Sequence, residues 1–227
     1  MNLNRLTLAA WAVLLACMAG NAQSLATSGT SVADIVPHGW SSTEAIGDLN
    51  NDGIKDLVII ATPNFKEHME TRESDGYQYN YNQPILAIYW GTENGVFTRY
   101  KSYDNILPHA ENQFLSVALT LQVTKQGTID IASEYFASAG SWSNDSYHHI
   151  FRYQNGDFYL IGLESDSYAR NTGKGERISI NYSTGRRQTI TYNGSDGASP
   201  KKESWSRIPK KPLYRLGDFS IDQGIPD

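Results

Sequence analysis

From Thr43 onward the chain never keeps an apolar period of 3.6 residues for three turns. Short runs rich in Val, Ile, Tyr, Phe and Thr alternate instead with clusters of Gly, Asn and Asp, which is the pattern of strands and tight turns. Residues 56–61, DLVIIA, form one unbroken apolar run that suits a strand buried on both faces. Residues 84–90 and 96–101 flank GTENG and predict a hairpin. The pattern recurs for 116–123 with 128–136, 147–154 with 158–163, and 177–182 with 188–192. Between 116 and 123, Val117, Leu119, Leu121 and Val123 alternate with small or polar residues and predict one buried face. The expected fold is all-β, an antiparallel meander of hairpins forming a sandwich or open barrel.

Residues 1–22 carry one charge, Arg5, then an apolar run over 6–18 and the small residues Gly20, Asn21 and Ala22. This is the pattern of a secretory signal peptide, and the run is shorter than the roughly 20 residues a spanning helix needs. Cleavage after Ala22 predicts a periplasmic or secreted protein with no transmembrane helix in its mature chain. Leu14-Leu15-Ala16-Cys17 also resembles a lipobox, which predicts a lipoprotein anchored through Cys17, and both readings stay open. Cys17 is the one cysteine in the sequence, so no disulfide is expected. About 205 residues follow the leader, an ordinary size for one domain. We read 23–40 as a lead-in and 41–227 as a single β domain. Residues 23–32, 63–83 and 193–203 look loosely structured, the last as a mobile loop. The formal net charge of −5 and the lack of long basic runs argue against nucleic acid as a partner.

The stretch GDLNNDGIKD, residues 47–56, carries the one motif with a definite chemistry. Calcium wants six or more oxygens at once, and a short loop supplies them only if alternate side chains turn inward around a sharp bend. Asp48, Asn50 and Asp52 would give three side-chain oxygens, Gly53 the bend, Ile54 its carbonyl, and Asp56 the last side chain. Zinc would want His or Cys, which the loop lacks. The alternative is an Asx-rich turn with no metal. An EF-hand is excluded because Ile59 stands where its bidentate glutamate would be, and a strand rather than a helix is expected to follow.

With AIGDLNNDGIKDLVIIATP followed by PILAIYWGTENGVF, residues 43–97 resemble an FG-GAP/VCBS repeat, the calcium-loop unit of integrin α-chain propellers and of many secreted bacterial proteins. The resemblance implies Asp48, Asn50, Asp52, Ile54 and Asp56 as Ca2+ ligands, and adhesion or ligand binding as a role. There is one such loop, and at four strands per blade the chain has length for about three blades, fewer than close a propeller. A single FG-GAP-like unit is therefore expected, not a closed propeller.

Residues 63–83 make an unusually long connection in which Tyr77, Tyr79 and Tyr81 could line a surface for carbohydrate or protein, or the segment could be a loop or an extra strand. Trp142 sits in a Gly/Ser-rich turn and is a further binding candidate. His148 and His149 are adjacent, so on a strand they would face opposite sides and could not share a metal. No hydrolase signature is present, although Glu67, Glu70 and Glu73 could supply carboxylate pairs. The expected function is an exported calcium-binding β domain that binds a protein or glycan of the cell envelope. The alternative is an extracytoplasmic hydrolase or inhibitor acting on envelope polymers, which calls for a cleft with converging carboxylates. A purely structural envelope role is a third reading.

Overall fold

The computed structural model describes residues 23–109, 114–194 and 199–221. In chain order the elements are β1 (Ser28–Gly29), α1 (Val32–Ile35), β2 (Ser41–Gly47), β3 (Asp56–Thr62), β4 (Met69–Thr71), β5 (Gln78–Asn80), β6 (Ile85–Trp90) and β7 (Phe97–Tyr103). There follow β8 (Leu115–Val123), β9 (Thr128–Ala137), β10 (Ser143–Gln154), β11 (Asp157–Ala169), β12 (Lys174–Asn181), β13 (Arg186–Asn193) and β14 (Ser199–Arg207). A five-stranded sheet has the order β1-β7-β6-β3-β2, and a seven-stranded sheet is the uninterrupted meander β14 to β8. Every pairing is antiparallel. The fold is thus all-β, with one sheet curled into a half-barrel and, among the described residues, no closed barrel or propeller.

The unbroken apolar run of β3 is explained by what lies on each of its faces. Val58 and Ile60 pack with Leu86 and Ile88 of β6 against Leu121, Ile129, Ile131 and Phe151 of the seven-stranded sheet, giving one core shared by both sheets. Leu57, Ile59 and Ala61 point the other way, to Leu25, Ile35, Trp40 and Tyr89. A strand covered on both sides has no solvent face and so no need of alternation. Each large apolar side chain so buried is worth about 1.5–3 kcal/mol. On β8, by contrast, Val117 and Leu121 are buried and Leu119 and Val123 half-buried, while Ser116, Ala118, Thr120 and Gln122 are exposed, as the alternation predicts.

Two sets of contacts close the sheets on one another. Lys101 on β7 pairs with Asp157 at the β10–β11 turn at 2.7 Å, and the Tyr100 hydroxyl donates to the Gly156 carbonyl at 2.8 Å. The C-terminal segment then runs along β11: the Leu160 N–H donates to the Tyr214 carbonyl and the Leu216 N–H to the Phe158 carbonyl, each at 2.9 Å. Ile221 donates its N–H to Ile106, and Leu216 and Ile221 complete the shared core.

Three segments are more ordered than the sequence suggests. In the lead-in, β1 pairs with β7, and α1 is a single turn closed by a capping box between Ser31 and Asp34. Within 63–83, β4 and β5 form a small separate hairpin. The expected mobile loop at 193–203 is corrected in part: from Ser199 the chain is the edge strand β14, paired along β13, while 195–198 lie outside the described residues. Cross-strand contacts hold this strand instead of burial. Gln188 and Trp205 both donate to Glu203, and the Arg186 guanidinium lies 4.7 Å above the Trp205 ring. A strand held in this way leaves no hydrophobic alternation to read. The leader and Cys17 also lie outside the described residues.

Burial raises the Asp157 carboxyl, but the Lys101 ammonium and the Phe158 N–H outweigh it and hold the group below its ordinary 3.8. A depressed carboxyl contributes stability that is present above pH 3.8 and lost as pH falls through its folded value. Lys101 is 41% exposed, so the pair is screened and Asp157→Asn should cost only about 0.5 kcal/mol at pH 7. Urea unfolding at pH 7 and pH 3 should show that difference shrinking in acid.

Candidate metal centre and sheet groove

The loop 48–56 joins β2 to β3, and its conformation follows from its own short polar side chains. The Asp48 carboxylate accepts the N–H groups of Asp52 at 3.2 Å and Gly53 at 2.9 Å. Asn50 Oδ1 also accepts from Asp52 N–H at 3.0 Å, Asp52 Oδ1 accepts from Ile54 N–H at 2.7 Å, and Asn50 Nδ2 donates to Asp52 Oδ2 at 2.9 Å. These are Asx-type turns stacked one on another, with Asn51 and Gly53 at φ values of 61° and 86°.

Asp56 behaves differently. It is fully buried, and its two carboxylate oxygens accept the Leu49 N–H at 2.8 Å and the Gly91 N–H at 3.0 Å. One carboxylate thus ties the start of the loop to the end of β6. Burial pushes its pKa up, the two N–H groups oppose that, and the nearby negative charges of Asp52 and Asp48 add to the rise. No ion pair among the described residues reaches the loop.

The neighbouring backbone comes very close. A Cβ on Gly91 would stand 2.0 Å from the Lys55 carbonyl oxygen, and one on Gly127, in the β8–β9 turn, 2.5 Å from the Asp48 carbonyl oxygen. The loop is therefore clamped between the β6 end and the β8–β9 turn by glycines that the sequence reading did not single out. Gly53, which it did, has open space around it.

As a calcium site the loop fits in part. Asp48, Asn50 and Asp52 hold their oxygens within one turn at the surface, and Ile54 is half-buried beside them. Among the described residues no three His, Cys, Asp or Glu side chains converge to hold a metal, because Asp56 is turned inward and engaged by backbone N–H groups.

The other candidates separate in space. Tyr79 is buried and accepts from Arg72 at 2.8 Å, and its ring lies 5.0 Å from that of Tyr77 and 6.2 Å from that of Tyr81. These rings pack the β4–β5 hairpin on itself, with Tyr77 partly exposed. His148 approaches Asp130 at 3.1 Å while His149 is fully buried on the opposite face, as adjacent strand residues must be. Trp142 is 64% exposed beside Arg170, whose guanidinium also covers Phe136 at 4.6 Å.

Phe136 leads to a feature absent from the sequence reading. A groove of about 510 Å³ crosses the seven-stranded sheet on the face away from the shared core, from Ser116 on β8 to Tyr192 on β13, which only a curled sheet can bring around one space. A second hollow of about 390 Å³ continues from it across Ser146 and Asp166. The available signal was the polar alternation Asn144-x-Ser146-x-His148 opposite Glu164-x-Asp166-x-Tyr168.

Replacing Asp56 by Ala leaves two buried N–H groups without a partner at about 1–3 kcal/mol each, so Asp56→Ala should lose at least 2 kcal/mol in denaturant unfolding. A raised carboxyl favours the fold most below pH 3.8, and that contribution is lost as pH rises through the folded value. Measured in EDTA, the wild type should therefore gain on Asp56→Asn as pH falls from 7 to 4. Gly91→Ala and Gly127→Ala should each cost about 2 kcal/mol or more through backbone clashes, against about 1 kcal/mol for Gly53→Ala, where only the positive φ is strained. No family model matches the chain, and no similar protein was found among curated proteins or among solved structures.

Proposed function

We propose that the chain is an extracytoplasmic binding module of the FG-GAP/VCBS kind, in which a calcium ion at the 48–56 loop has a structural role. The observation that carries the proposal is the position of three carboxylates, Asp48, Asp52 and Asp56, in one loop with no ion pair among the described residues to offset them. Their mutual repulsion is what a divalent cation would relieve. Asp48, Asn50, Asp52 and the Ile54 carbonyl would hold the ion, and Asp56 would enter only by sharing oxygens that already accept backbone N–H groups. The repeat resemblance draws support from topology, since the loop joins the first two strands of the run β2-β3-β6-β7, adjacent and antiparallel in that order. A leader removed after Ala22 would place the module in the periplasm or outside the cell, and acylation at Cys17 would anchor it to a membrane.

A second reading, hydrolysis of an envelope polymer, draws on the groove, which carries Glu134, Asp145 and Asp166. Incubation with an oligosaccharide separates the two, since an enzyme shortens it and a binding module leaves its length unchanged.

Calcium that binds the folded chain alone stabilises it by mass action, about 2.7 kcal/mol at a hundredfold excess over Kd. The melting temperature should rise between EDTA and millimolar calcium, and Asp52→Ala should abolish the rise. Equal melting temperatures in the two buffers would mean that the loop is held by its Asx turns alone.

A further inference from the structure

The groove on the seven-stranded sheet has the chemistry of a saccharide site, and we infer that it binds an oligosaccharide without acidic groups. The inference rests on the reading of the chain as a binding module and names the ligand class and the place.

The groove floor is built in advance. Tyr192 is buried, its ring lying where a Cβ on Gly175 would be, and Tyr168 takes the corresponding space at Gly194. The two rings are parallel within 3° at 6.3 Å. The Tyr192 phenol, pushed up to about 12 by burial and by the neighbouring carboxylate, stays protonated and donates to Asp166. The other Asp166 oxygen takes the Arg177 guanidinium at 2.8 Å, and that guanidinium lies 4.6 Å over the Tyr192 ring. The polar groups facing the groove therefore have fixed directions before any ligand arrives, which lowers the entropy lost on binding.

One group among them lacks a partner. Asn144 lines the groove, and its Oδ1, shielded from solvent, accepts no hydrogen bond from any described residue. A buried acceptor without a donor costs free energy, and a ligand hydroxyl would recover it once a change of rotamer turns the Asn144 amide out into the groove. Beside it the half-buried Tyr168 and the partly exposed Phe136 offer aromatic surface, with Trp142 beyond Arg170. A sugar ring has the complementary form, one apolar C–H face for an aromatic side chain and a rim of hydroxyls that donate to carboxylates and amides.

Charge narrows the class. Glu134, Asp145 and Asp166 line the larger hollow and, among the described residues, no lysine or arginine does, while the nearby guanidiniums are already engaged, Arg177 by Asp166 and Arg170 by backbone carbonyls, so uronic acids, sulfated sugars and phosphate polymers are disfavoured. A volume of about 510 Å³ lies in the range of small-ligand sites, enough for a few sugar units. The ligand would lie on a sheet face, where side chains and not backbone hydrogen bonds make the contacts, and this disfavours an extended peptide, which would seek a strand edge.

The test is isothermal titration of the purified chain, in calcium buffer, with chitohexaose, cellohexaose and hexagalacturonate, and with hexalysine as the cationic comparison. At least one of the two uncharged hexasaccharides should bind, and hexagalacturonate at least tenfold more weakly. Tyr168→Ala should weaken binding at least tenfold. Asn144→Ala should also weaken it at a melting temperature no lower than the wild type's, because Asn144 Oδ1 accepts no hydrogen bond from any described residue. Tyr77→Ala, on the separate β4–β5 hairpin, should have no effect. The inference is overturned if neither uncharged sugar binds at millimolar concentration, if Tyr168→Ala and Asn144→Ala bind as the wild type does, or if hexalysine alone binds. A calcium-dependent rise in melting temperature without sugar binding would overturn this inference while leaving the calcium-loop reading in place.

Discussion

The buried carboxylate of Asp56 is the interaction on which the arrangement of the N-terminal half depends. It is the first residue of the most enclosed strand, and it joins backbone on either side, at Leu49 in the loop and at Gly91 beyond β6. Two N–H groups that no ladder could satisfy are thereby paired inside the protein. The same contact sets where β3 begins, and β3 in turn separates the two apolar clusters. A carboxylate is a costly way to do this, since burial and two like charges resist its ionisation. Its advantage is geometric, because one rigid group with two acceptor oxygens spans two strand ends at once.

Much of the fold was legible because its strands declare themselves through composition. The run DLVIIA announced a strand covered on both faces, and each predicted hairpin is present, although β10 and β11 reach further than expected, to Ser143 and Ala169. Those extensions are polar on both faces and lie where the sheet curls away from the core, so hydrophobicity is silent about them. The edge strand β14 was missed for the same reason. The loop motif was legible as a set of oxygen-bearing side chains, but the orientation of Asp56 was not. Strand parity could have shown it: Asp56 shares a face with Val58 and Ile60, which point into the shared core. The groove was the least visible, since it comes from curvature, a property of seven strands together that no local window contains.

The two faces of the large sheet divide the work of the molecule. One face supplies Leu121, Ile129, Ile131 and Phe151 to the core, and the other carries polar and aromatic side chains around the groove. Strand alternation permits this division, because consecutive residues on one strand serve opposite purposes. His148 and His149 illustrate it within a single dipeptide, one beside Asp130 at the surface and one enclosed. The loop and the groove are thus built separately, the first between the sheets and the second on the outer side of one of them.

The C-terminal segment has a kinetic consequence. Leu216 and Ile221 belong to the same core as Leu49 and Val58, and the Ile221 N–H is bonded back to Ile106. Contacts between residues so far apart in the chain carry a large loop-closure cost and form slowly. A nascent chain lacking its last stretch would hold two sheets with an unfinished core between them, so full cooperativity must await the arrival of Leu216 and Ile221.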